Sequence, residues 1–122
     1  MRAWLSRLRH DLVKRAVWPA RDLVESARVP GPADVLELRA GLFDLRDGEG
    51  RVVSARELWQ ELGREAPPIP AAALESFGRT LEHAEMCVAR LATHMQSWSE
   101  AVDAVLRIEA AFAALAKTLE EE

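Results

Sequence analysis

His83, Cys87 and His94 are the side chains whose types and spacing come nearest to chemistry. At about 100° per residue they fall on one stripe of a helix. His83 and Cys87, four apart, suit chelation of a metal ion or a thiol–imidazole pair. His94 lies ~10 Å further along the axis from Cys87, and no fourth ligand is evident. A nucleophilic reading has no acid to orient the histidine and no oxyanion donors. Glu82 and Glu85 flank His83, but the order Glu82, His83, Glu85 lacks the E-x-x-H spacing of carboxylate-bridged di-metal helices. The seam-flanking, structural role of these residues is therefore the simpler expectation.

The second candidate is "DLRDGEGRVVSAREL", Asp44 to Leu58. Setting Gly50 at the glycine of a helix–loop–helix calcium site puts Asp47, Glu49 and Val52 in register. The first ligand then falls on Leu45, and the bidentate carboxylate is replaced by Arg56. Asp-Gly and Glu-Gly steps instead suit a chain reversal, and Ser54 with Glu57 forms an S-x-x-E helix start. A turn is expected here, without calcium. No phosphate-binding glycine loop, nucleophile elbow, C-x-x-C or H-E-x-x-H occurs, so the sequence carries no catalytic or cofactor signature.

These residues sit in a chain of 122 residues, one domain's worth, with 49% hydrophobic and 30% charged residues. That composition suits a foldable water-facing protein. A single cysteine allows no intrachain disulfide, which fits a reducing compartment, and no apolar run is long enough to span a bilayer. The expectation is a cytoplasmic protein. Fourteen Arg against two Lys, with no Asn and no Tyr, is the usage of a GC-rich bacterial genome. The net charge of −4 is unevenly spread. Residues 1–21 hold six cations and one anion, whereas the remainder is acidic.

Hydrophobic spacing predicts helices almost throughout. Leu5, Leu8, Leu12 and Ala16 make an apolar stripe in residues 1–28, which Pro19 should kink. Trp4 is expected to join that stripe in a core. "VPGP" ends the segment. Residues 33–65 read as two short helices around the turn, with residues 33–46 forming the first. After "APPIP", residues 74 to 119 step by alternating threes and fours with one polar exception, Glu109. That register predicts one long coiled-coil-like helix over about 71–119. The alternative is a break at "QSWSE", where Ser97 and Glu100 match another capping box.

The expected fold is thus a single all-α domain: a helical bundle in which a kinked basic N-terminal helix and two short helices pack on the long C-terminal one. A helix of that length would outreach a compact globule, so a homodimer through Leu81, Val88, Leu91, Met95, Trp98 and Val102 is predicted. The cations Arg2, Arg9, Lys14 and Arg15 lie away from the apolar stripe and would dock a second, acidic protein. The function that follows is a non-catalytic protein–protein interaction, as an adaptor or regulator. One rival is a surface-binding module whose basic helix, with Trp4 and Trp18, lies on an anionic membrane; the acidic balance disfavours nucleic acid. Another is a metal-dependent enzyme or sensor at His83/Cys87.

Overall fold

A computed structural model describes residues 3–26, 30–65, 69–91 and 98–120. The fold is an all-α bundle carrying one two-stranded ribbon. Helix α1 (Ala3–Leu12) runs through a π-helical turn (Val13–Val17) into α2 (Trp18–Ser26). Helix α3 (Pro32–Phe43) leads to strands β1 (Leu45–Arg46) and β2 (Val52–Val53), then α4 (Ala55–Glu65), α5 (Ala71–Arg90) and α6 (Trp98–Glu120).

The kink expected at Pro19 is a π-turn placed just before it. Proline has no N–H for the carbonyl of Arg15, four residues back, and its ring crowds that carbonyl. Widening the preceding turn relieves the crowding, and the Trp18 N–H bonds to the Val13 carbonyl instead. The Arg15 carbonyl then faces Gly41 of α3. A Cβ on Gly41 would lie 2.3 Å from that oxygen, so only glycine lets the two helices approach this closely. Leu5, Leu8, Leu12, Ala16, Val17 and Ala20 are buried along this N-terminal rod.

The other helix starts follow local chemistry. Pro32 opens α3, and the Asp34 carboxylate accepts a 2.7 Å bond from the Gly31 N–H. Ser54 opens α4, its hydroxyl accepting from the Glu57 N–H at 3.2 Å, the expected arm of the capping box. The ribbon pairs Leu45 with Val53 and Arg46 with Val52. Residues 33–46 are therefore helical only to Phe43, the last two having joined the ribbon.

The main correction concerns residues 71–119. They form two helices, α5 and α6, packed antiparallel. Phe77 and Phe112 sit with ring centroids 4.6 Å apart, whereas one continuous helix would separate them by ~50 Å. Near the other end, Cys87 Sγ lies 3.8 Å from Glu100 of α6. Of the residues predicted to form a dimer seam, those described are consumed by this hairpin. Leu81, Val88, Leu91 and Val102 are buried inside one chain and Trp98 is half-buried; Met95 lies outside the described residues, as does Ser97 of the second capping box. The apolar stripe thus pairs with itself. Trp59 extends the stack from α4, 4.6 Å from Phe77, so aromatic rings tie three helices together.

Candidate functional site

The basic N-terminal segment divides its cations between structure and solvent. Arg15 donates to the Asp44 carbonyl at 2.8 Å, capping the C-terminal end of α3 where a cation is favoured. Arg21 forms an ion pair with Glu109 of α6, which explains the polar position in the apolar register. Arg9 and Lys14 are exposed; Arg2 lies outside the described residues. Trp18 is 51% exposed and shares a shallow surface depression with Ser6, Arg9, His10 and Val13. Of the four predicted docking cations, then, Arg9 and Lys14 face water, Arg9 beside an exposed tryptophan, and Arg15 serves the fold. The side chain of Trp4 lies outside the described ones.

His83 and Cys87 are brought together but not equipped. Cys87 Sγ lies 3.8 Å from His83 Nε2. Burial, followed by the neighbouring Glu100 carboxylate, pushes the thiol above its usual range, so it is held as a weakly nucleophilic SH. No group of three or more His, Cys, Asp or Glu is placed to hold a metal among the described residues. His94 lies outside them.

The loop 47–51 is a turn. Asp47 Oδ1 accepts the N–H groups of Glu49 and Arg51 at 2.8 and 2.9 Å, and Oδ2 accepts from Arg51 Nε at 2.9 Å. Gly50 takes a left-handed φ of 80°. The Arg51 backbone bond is the main reason the Asp47 carboxyl lies below its usual value, desolvation opposing it. Both oxygens are thus spent within the loop itself.

A wider cleft lies elsewhere. It lies between α4 and α5, with a volume of about 560 Å³. Trp59, Leu74, Gly63 and Gly78 contribute to its walls, with Arg56, Arg64, Arg79, Glu75 and Glu82 around them. The Trp59 indole is fixed by a 3.0 Å bond to the Leu74 carbonyl. Arg56 reaches Glu82 at 3.4 Å, yet its Nε is buried without a partner. Beneath lies Glu85, a buried carboxylate on α5 that accepts the Arg56 N–H at 2.8 Å. Burial raises the Glu85 pKa; the bond from that N–H and the Arg56 charge oppose the rise. Glu85 thereby completes the start of α4 from another helix.

None of these cleft residues stands out by motif. The available signals are a glycine inside a helical run at Gly78 and an acid inside the buried stripe at Glu85. Neither spacing reveals that α4 and α5 leave a cleft between them. No helix among the described residues is long and apolar enough to cross a membrane. Comparison with protein-family models, curated proteins and solved structures gives no match for this chain.

Proposed function

We propose that this protein is a non-catalytic interaction module, an adaptor or regulator that docks an acidic partner on the exposed face of α1 and the start of α2. The observation carrying the proposal is Trp18, 51% exposed in the same depression as Arg9 and His10, with Lys14 also exposed. Tryptophan and arginine are the side chains most enriched at the centres of protein interfaces. A large ring left half in water forgoes burial that a core position would supply. The apolar stripe Leu5, Leu8 and Leu12 is buried against the bundle. It is therefore not available for insertion into a bilayer, which favours a protein partner over a membrane surface. The buried seam residues Leu81, Val88, Leu91 and Val102 are likewise occupied, which favours another surface for any self-association.

The test compares wild type with the Arg9→Glu/Lys14→Glu double variant and with Trp18→Ala, using chemical cross-linking in the source cell. Vesicles rich in phosphatidylserine serve as a parallel probe. An acidic protein cross-linked by wild type and lost with both variants is the expected outcome, with helicity and melting unchanged. Equal cross-linking by all three proteins refutes the docking face. Binding to the anionic vesicles that both variants abolish replaces the protein partner with a membrane surface.

A further inference from the structure

We propose that the α4–α5 cleft binds a small organic anion, an apolar body bearing one carboxylate or sulfonate. Its volume of about 560 Å³ lies within the range of small-molecule sites. Three independent features of the cleft point to this ligand class.

The first is Gly78. It stands inside α5, a 20-residue helix, where glycine is a poor choice compared with alanine. A Cβ added there would meet the Trp59 ring at 3.7 Å, an ordinary contact. Packing therefore does not require glycine, and its effect is to keep the wall beside Trp59 recessed. Gly63 differs: its Cβ would press on Leu74 at 3.0 Å, so helix approach accounts for it.

The second is the charge. Three arginines and two glutamates line the cleft, with the Glu85 carboxylate beneath it. Glu82 is engaged by Arg56. Arg64 and Arg79 are exposed and make no ion pair among the described residues. An anionic group on the ligand would pair with these two cations. A polyphosphate would face Glu75 and Glu82 with too little cation to offset them.

The third is Arg56, whose partly exposed guanidinium lies on the wall of the cleft and reaches Glu82 at 3.4 Å. A guanidinium so placed can share its remaining N–H groups with an anionic oxygen, its preferred acceptor. The apolar part of the ligand would rest on Ala71, Leu74 and the Gly78 recess.

Calorimetric titration with 1-naphthoate and its uncharged analogue 1-naphthalenemethanol tests the proposal. The location is read from the Trp59 indole N–H resonance, assigned with Trp59→Phe. Naphthoate is expected to bind with a Kd of about 0.1 to 1 mM, as suits so few atoms, and to shift that resonance. The neutral analogue should bind at least about tenfold weaker, the ratio expected from losing one charge-assisted contact. Gly78→Leu should remove binding by filling the recess, and Arg79→Glu should weaken it about tenfold without altering the melting curve. Gly78→Ala should raise the melting temperature and still weaken naphthoate, which keeps the test decisive if the leucine variant does not fold. Three results overturn the proposal: no saturable binding at several times the expected Kd, equal affinity for the neutral analogue, or affinity unchanged by Arg79→Glu and Gly78→Ala.

Discussion

Glu85 shows how one side chain can serve two helices at once. It belongs to α5, yet its carboxylate accepts the Arg56 N–H in the first turn of α4, a donor that α4 cannot satisfy internally. Burial is the larger influence and raises its pKa above the usual 4.5. A raised folded pKa favours the protonated, folded form, so this stabilisation is full below the ordinary carboxylate range and is lost as pH rises through the folded value. Glu85→Gln keeps an acceptor and removes the charge. It should melt at or above wild type at neutral pH, and the gap should close as the solution is acidified below about 4.5. Glu85→Ala leaves the Arg56 N–H without that acceptor and should cost about 1 kcal/mol. Thermal melts by circular dichroism across this pH range test both. Little in the sequence marks Glu85, because an acid beside an apolar stripe reads as a solvated flank until the helix covering it is known.

Among the elements, the crossing of α3 with the π-turn is the most constrained. Pro19 is legible in the sequence as a disruption of its helix, and the structure places the disruption one turn earlier, where the Arg15 carbonyl meets Gly41. Glycine inside α3 concedes ~1 kcal/mol of helix propensity relative to alanine. Gly41→Ala would recover that amount, but its methyl would sit 2.3 Å from a backbone oxygen that cannot swing aside. Overpacking of this kind costs roughly 1–3 kcal/mol, and contact with backbone belongs at the upper end. The net effect should be a loss of about 2 kcal/mol, measured by urea unfolding. A midpoint at or above that of wild type would show that α3 can move away freely. Gly78→Ala, which meets no such obstacle, is the matched control.

At the scale of the whole molecule, the α5–α6 hairpin decides what the apolar seam does. Val88 is fully buried within one chain, so Val88→Asp places a carboxylate in that core. The cost is several kcal/mol, on the order of 4 or more, a large part of the stability of a small domain. The loss of structure should be the same at low and high protein concentration. A seam shared between two chains would instead make the wild-type melting temperature rise with concentration. Melting curves over a hundredfold range of concentration, an interval of about 2.7 kcal/mol in mass action, separate the two. Burying the stripe within the chain also avoids the loss of translational and rotational freedom that a dimer incurs.

The sequence by itself determined which residues are apolar in helical register, where proline and glycine interrupt them, and that Ser54 and the Asp47 turn begin α4. From these the all-α class, the starts of α3 and α4 and the exposure of Arg9 and Lys14 were readable, because each depends on contacts within a few residues. Only the tertiary structure decided that the long register folds back on itself. Leu91 and Trp98 are seven residues apart, one heptad, so the phase of the stripe is the same on either side of the intervening segment and periodicity alone does not reveal a reversal. Nor does it reveal the assignment of Arg15 and Arg21 to Asp44 and Glu109, the cap that Glu85 lends to α4, or the cleft beside Gly78. Each of these joins residues from different helices, and local spacing carries no information about which helices meet.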